Sequence, residues 1–311
     1  MSKNFSYCAF SKHSIERVPQ KDLHKHIERC GRVCYKSEDK ITADSAKKFI
    51  ENLCKREHYS VLEHGTVYLY LHSEDCGYKE IVEKYKNNHW SRVVTKMWTE
   101  EVSYITTNMR VIVENGWDYD LVFQCEPKPY HEKRITFKFV HDIGIARDSN
   151  RHRAHSISEE STRYINYLRR GATFTASPFG VEECEEWDTQ RIPMVFDNMW
   201  MGEHEGDIDA LDVWMFSCYT STYCYNKLLS LGWTPQMARR SLNLGVKTET
   251  YYTAYVGEWK EYIRKRVKAH PDLIRLVRKM IELLHEELTE EEYNGFVERY
   301  DAELCKTVEI V

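Results

Sequence analysis

Apolar positions along the chain change period several times, and each change predicts an element. Between 42 and 58, Ala46, Phe49, Ile50 and Leu53 fall on one stripe with helical spacing, and Thr42 or Asp44 stands where a cap is needed. Residues 66–71 are β-branched and aromatic and read as a strand. Helix is expected over 78–94, strand then helix over 102–113, and a turn at Asn115-Gly116. Residues 134–140 alternate as a half-buried strand, and 141–150 continue as helix. Residues 171–205 hold Pro178-Phe179-Gly180 and several acids without a period, which predicts an irregular surface excursion. A long helix follows over 207–231, burying Leu211, Trp214, Met215, Cys218, Tyr219 and Leu228, with Gly232 to end it. Thr234-Pro235 suits a helix start, 248–255 reads as extended, and 259–266 and 271–288 read as helices. Leu273, Ile274, Val277, Ile281 and Leu284 form the buried or oligomer-facing side of the last one.

Composition narrows the class. The chain has 311 residues, 42% of them hydrophobic, enough for a sizeable core. A formal net charge of −5 argues against a general nucleic-acid binder. No apolar run approaches the roughly 20 residues of a membrane span. The first residues lack a signal-peptide core, so a cytoplasmic protein, of a cell or a virus, is expected. Ten cysteines are scattered without a Cys-x-x-Cys pair, so no metal site is expected. His24 and His26 have no acid or Cys partner at ligand spacing.

The densest chemistry lies in Arg151-His152-Arg153-Ala154-His155-Ser156-Ile157-Ser158-Glu159-Glu160-Ser161-Thr162-Arg163-Tyr164. Cations come in one block and acids in another, unlike a solvated helix face that pairs its charges four apart. Guanidinium forks grip phosphate bidentately and hydroxyls add donors, so the block suits an anion. Composition alone leaves a charged surface turn or a buried ion-pair knot equally open.

The spacing within this block resembles the signature of the flavin-dependent thymidylate synthases: Arg-His-Arg, seven residues, Ser161, then Arg163-Tyr164, with Ser156 and Glu159 also at the family's positions. Three further segments resemble family landmarks. They are Cys30 to Ser37, then Ser60-Val61-Leu62-Glu63-His64 before a strand, and Ala238-Arg239 followed by Leu242. Tyr262 and Arg266, with His270 beyond, match the last landmark. Several positions depart from the family's pattern. Asp148 replaces a Gln, Asn243 a Pro, and Tyr255 and Gly257 stand where an Asn-x-Arg pair grips flavin in many members. His64 and Arg151 lie 87 positions apart because of an insertion at about 73–134, read as an elaboration of one domain spanning 1–311.

The resemblance implies an α+β fold with a central antiparallel sheet flanked by helices. It implies a homotetramer with shared sites, and reductive methylation of dUMP to dTMP with methylenetetrahydrofolate, FAD and NADPH. By the same resemblance Arg151, Glu159, Ser161, Arg163, Arg239 and Arg266 bind the nucleotide. Arg266 acts on the pyrimidine. Ser161, the other catalytic candidate, serves as a binding hydroxyl because no His–Asp dyad is visible to activate it. His64, Arg151, His152, Arg153 and Glu159 face the flavin, and Asn108 and Arg110 are candidates for a relocated flavin grip. The departures keep two alternatives open: a relative that acts on another pyrimidine nucleotide or transfers hydroxymethyl rather than methyl, and a non-catalytic nucleotide-binding relative.

Overall fold

The computed structural model describes residues 8–167, 171–201 and 208–307. Its elements in order are β1 (Ala9–Ser11), β2 (Ser14–Arg17), α1 (Leu23–Arg32), α2 (Ser45–Lys55), β3 (Thr66–His72), α3 (Tyr78–Lys86), β4 (Arg92–Met97), β5 (Glu101–Asn108), α4 (Met109–Asn115), β6 (Arg134–Asp142), α5 (Ile143–Ser149) and β7 (Ser156–Glu159). There follow β8 (Thr173–Thr175), α6 (Val181–Glu186), α7 (Ile192–Met201), α8 (Ala210–Ser230), α9 (Pro235–Ala238), β9 (Lys247–Tyr255), α10 (Val256–Arg266), α11 (Pro271–Leu283) and α12 (Glu290–Thr307). The result is a mixed α/β fold of antiparallel sheets and helices, plus one small parallel pair.

The four-stranded sheet runs β2-β6-β9-β7, antiparallel throughout. Strand periodicity of two sorts its faces. Ile135, Phe137 and Phe139 of β6 and Tyr252 and Ala254 of β9 point into a core closed by α10, α11 and α12. Trp259, Leu273, Val277 and Tyr300 complete that core. The opposite face is polar: Thr136 and Thr253, paired in register, hydrogen-bond each other at 2.7 Å beneath α1 and the turn Tyr59–His64. His26 of α1 reaches Thr136 at 3.0 Å, and burial lowers its pKa to about 4.

The second sheet, β3-β5-β4, joins strand β3 to two strands of the segment 73–134. Its apolar face packs on α3 and α4 through Val67, Leu69, Leu71, Ile105, Ile81 and Tyr85. Tight packing continues at Gly65, where a Cβ would lie 2.5 Å from Ile27.

Three expectations are corrected. The helix predicted over 78–94 stops at Lys86, and Val93 and Val94 lie on β4, where β-branched side chains fit a pleated surface. The stretch 171–201 is ordered: β8 pairs with β1, Ala172 and Phe174 are fully buried, and α6 and α7 pack on α8. Those elements are too short to display a period. The buried side of α8 runs through Met215, Cys218, Ser221, Thr222 and Tyr225, while Leu211, Trp214, Tyr219 and Leu228 are only partly covered. Part of the excursion and the predicted start at 207 fall outside the described residues. No helix among the described residues is long and apolar enough to cross a membrane.

Candidate functional site

The block at 151–164 leaves α5, turns, and enters β7. In the turn the histidines point in and the arginines point out. Arg151 and Arg153 are exposed and carry no hydrogen bond or ion pair among the described residues. His152 and His155 are buried with ring centroids 4.5 Å apart, His155 lying 4.2 Å from Trp259 and 5.2 Å from Tyr262. Burial lowers the pKa of both, which keeps them neutral at pH 7. Both His155 ring nitrogens and His152 Nε2 are without a hydrogen-bond partner; the Glu258 carboxylate stands 3.6 Å from the latter.

Arg266, at the end of α10, joins this cluster. It donates to the Asp148 carbonyl at 2.7 Å and stacks 5.3 Å from the Tyr262 ring centre, and its buried Nε is unpartnered. The main chain of Asp148 thus holds an arginine beside its own carboxylate side chain. Glu159 accepts from Asn150 at 2.8 Å, and burial raises its pKa.

The other half of the block comes together with α9. Arg239 donates to Thr162 at 3.1 Å and Arg163 to Gln236 at 3.5 Å, both from exposed positions. Ser161 is half-buried, its backbone N–H donating to Cys34 at 3.2 Å, and Tyr35 packs on Tyr164 at 5.2 Å. Segment 30–37 is therefore a structural neighbour of 161–164.

A charge network lies beneath. Glu160 meets Lys36 and Lys247, while Glu249 meets Lys36, Lys247 and, at 2.9 Å, Lys138. Despite burial, those lysines hold the Glu249 carboxyl well below the usual range. Sequence reasoning missed this network, since its members are scattered and Lys36 occupies a left-handed conformation, φ 47°.

His64 sits elsewhere than expected. It is fully buried, with Nδ1 2.7 Å from Thr253 Oγ1 and Nε2 3.0 Å from Ser158 Oγ. Both nitrogens are occupied by β9 and β7, so within one chain His64 fixes the sheet rather than facing a ligand. Arg134 was also missed: it is half-buried, donates to Glu63 O at 2.9 Å and Ser156 Oγ at 3.0 Å, and bridges the His64 turn to β7. A charged residue opening an alternating strand was its only signal.

Asn108 and Arg110 are engaged locally. Asn108 caps α4 by accepting from Val111 N–H, and Arg110 pairs with Glu63 at 2.6 Å and Glu114 at 2.9 Å. Neither is presented as a free donor to a phosphate. Tyr255 Oη lies 2.9 Å from the carbonyl oxygens of both Trp90 and Thr106, so this side chain ties β9 to the loop before β4 and to β5; Gly257 is exposed. Among the described residues no group of three or more His, Cys, Asp or Glu side chains is placed to hold a metal.

The model of the family described as "Thymidylate synthase complementing protein" matches residues 119–288, more than half of the chain. No curated protein matches. Solved structures similar to this chain include the UMP/dUMP methylase PolB from Streptomyces cacaoi bound with 5-Br dUMP. It shows 15% identity and a TM-score of 0.41, over 93% of this chain and 96% of that one. The same protein bound with 5-Br UMP gives 14% identity and a TM-score of 0.39, over 93% and 97%.

Proposed function

The chain belongs to the thymidylate synthase complementing protein family, and from that premise we propose that it is a flavin-dependent thymidylate synthase, methylating dUMP to dTMP at the expense of methylenetetrahydrofolate and NADPH. One observation carries this reading: Thr162 meets Arg239 and its neighbour Arg163 meets Gln236, more than 70 positions along the chain, which leaves two exposed guanidinium groups beside the side chains of Ser161, Thr162 and Gln236. Such a set suits a nucleotide phosphate, because charge-assisted bonds to a dianion are the strongest a surface site makes. Ser161 acts there as a donor to oxygen. No His–Asp pair stands beside it among the described residues to make it a nucleophile.

The cluster around His152 fits a flavin. Orphaned buried nitrogens on His152, His155 and Arg266 lie beside two unpaired surface arginines, Arg151 and Arg153. The arginines would take the pyrophosphate and the neutral imidazole of His152 the polar edge of the ring system, with Glu159 oriented by Asn150 nearby. When bound, reduced flavin supplies the hydride that takes a one-carbon unit from the methylene to the methyl level. The chain's own share is positional. Arg266, fixed by the Asp148 carbonyl and the Tyr262 ring, places positive charge where the pyrimidine becomes electron-rich. His152 and His155 stay uncharged, so they do not compete with that arginine for negative charge.

The reading includes a homotetramer with shared sites: free surface arginines such as Arg151 and Arg153 are groups that a second copy and its ligand would cover. The visible spectrum of the purified chain after incubation with FAD tests the cofactor. An oxidised-flavin spectrum that bleaches on adding NADPH with dUMP supports the reading; a chain that stays colourless overturns it.

A further inference from the structure

Residues 160–166, which carry Ser161, Thr162 and Arg163, follow β7 and lie outside helix and strand. A donor set on such a loop is only as well placed as the contacts that hold the loop. Three consecutive residues of a distant segment reach it. The Cys34 carbonyl accepts from the Ser161 N–H at 3.2 Å, the Tyr35 ring lies 5.2 Å from that of Tyr164, and Lys36 Nζ meets the Glu160 carboxylate at 3.2 Å. Cys34, Tyr35 and Lys36 thus grip the loop on both sides of the exposed Arg163.

Lys36 is the least expected of the three. It stands at φ 47° and ψ 54°, a left-handed conformation that crowds the Cβ of an ordinary residue and suits glycine. Such strain persists where the side chain has a task that the surroundings enforce. Pairing a buried charge is not that task. Lys247 stands 3.3 Å from Glu160 and 2.6 Å from Glu249, and Lys138 stands 2.9 Å from Glu249, so each carboxylate keeps a cation without Lys36. What Lys36 adds is a tie between the turn at 33–36 and the start of the loop. Glu160 is the residue before Ser161, and its N–H is held by the Glu249 carbonyl of β9 at 2.8 Å.

We propose that Lys36 is a positioning residue for the anion-binding loop: from its left-handed turn it fixes Glu160, and through Glu160 it holds Ser161 and Arg163 where, with Arg239, they meet a nucleotide phosphate. The proposal rests on the nucleotide reading above and adds to it a residue outside that donor set. Lys36 acts through Glu160 rather than on the ligand. It narrows the positions the loop samples before the phosphate arrives, which lowers the ordering entropy lost on binding.

Lys36→Gly and Lys36→Arg variants of the full chain test this by two readouts: amide hydrogen exchange over residues 160–165 without nucleotide, and calorimetric titration of the FAD-incubated chain with dUMP. Glycine suits the left-handed backbone, so the urea midpoint of Lys36→Gly should stay close to the parent's. Exchange in the loop should quicken. Affinity for dUMP should fall about tenfold, the equivalent of one charge-assisted hydrogen bond to the phosphate. Lys36→Arg keeps the charge and should restore most of that affinity. Unchanged dUMP affinity in Lys36→Gly overturns the proposal. Weakened affinity with unchanged loop exchange does so too, since Lys36 would then be a direct ligand contact. Equal losses in the two variants, or a urea midpoint that falls in step with affinity, reduce Lys36 to a structural residue and also overturn it. If the parent chain binds no dUMP, the nucleotide reading fails. Quickened loop exchange in Lys36→Gly then still supports the positioning role, and unchanged exchange removes it as well.

Discussion

The two larger sheets solve opposite problems. The four-stranded sheet buries an apolar face under α10 to α12 and a polar face under α1 and the His64 turn. Its second face is threaded with neutral histidines and paired threonines that link distant parts of the chain. The three-stranded sheet closes its core against α3 and α4, and its outer face carries tyrosines such as Tyr70 and Tyr104, 5.1 Å apart. The landmark residue His64 lies where polar groups pair across the four-stranded sheet, whereas the three-stranded sheet covers its outer face with aromatic rings, Tyr104 packing on Tyr130 and His131.

Acid should separate the regions most strongly. His26, His64, His141 and His155 all belong to or pack on the four-stranded sheet, and burial lowers each pKa, to about 4 for His26 and His141. A folded pKa below the unfolded value of about 6.5 means the unfolded chain binds more protons as pH falls. Their contribution is intact above pH 6.5 and is lost from there toward pH 4, at up to roughly 1.4 kcal/mol per pH unit for each histidine. Denaturant midpoints measured from pH 7.5 to 4.5 check this; a flat profile would contradict the buried-neutral assignment.

Trp259→Ala removes a fully buried ring that also donates to the Ile135 carbonyl at 3.0 Å, and should cost about 3–5 kcal/mol in urea denaturation. Trp90→Leu, at an exposed ring in the loop before β4, should stay within about 0.5 kcal/mol. Comparable losses for the two would erase the contrast between the regions.

Arg239→Ala should leave stability unchanged yet weaken dUMP by about 1.5–3 kcal/mol, the worth of a hydrogen bond to a charged group, in calorimetric titration. Arg110→Ala breaks part-exposed ion pairs with Glu63 and Glu114 and should cost no more than about 1 kcal/mol. FAD affinity should survive it, since Arg110 is already engaged; loss of flavin would restore it as a flavin grip.

Much of this was legible in the pattern of residues. Ile135, Phe137 and Phe139 alternate because one face of β6 is apolar, and the helices around Phe49 and Leu273 show their stripes plainly. Strand β7 was not legible: Ser156-Ile157-Ser158-Glu159 has little apolar content, because the face it meets is itself polar, Ser158 receiving His64. The arginines were readable as anion-binding residues from their clustering. That His152 and His155 would turn inward was not, because burial of an imidazole is decided by Trp259 and Tyr262 a hundred positions away. His64 shows the same limit. A histidine before a strand is visible in any sequence, but its two hydroxyl partners, Thr253 and Ser158, are brought to it only by the sheet.

The most direct test of the account is the mass of the nucleotide formed when the chain, loaded with FAD, is given dUMP, methylenetetrahydrofolate and NADPH. The expected product is heavier by one methyl substituent and co-elutes with dTMP, and its formation is lost in Arg239→Ala and Arg266→Ala at subsaturating dUMP. Unchanged dUMP, or a hydroxymethyl product instead, would contradict it.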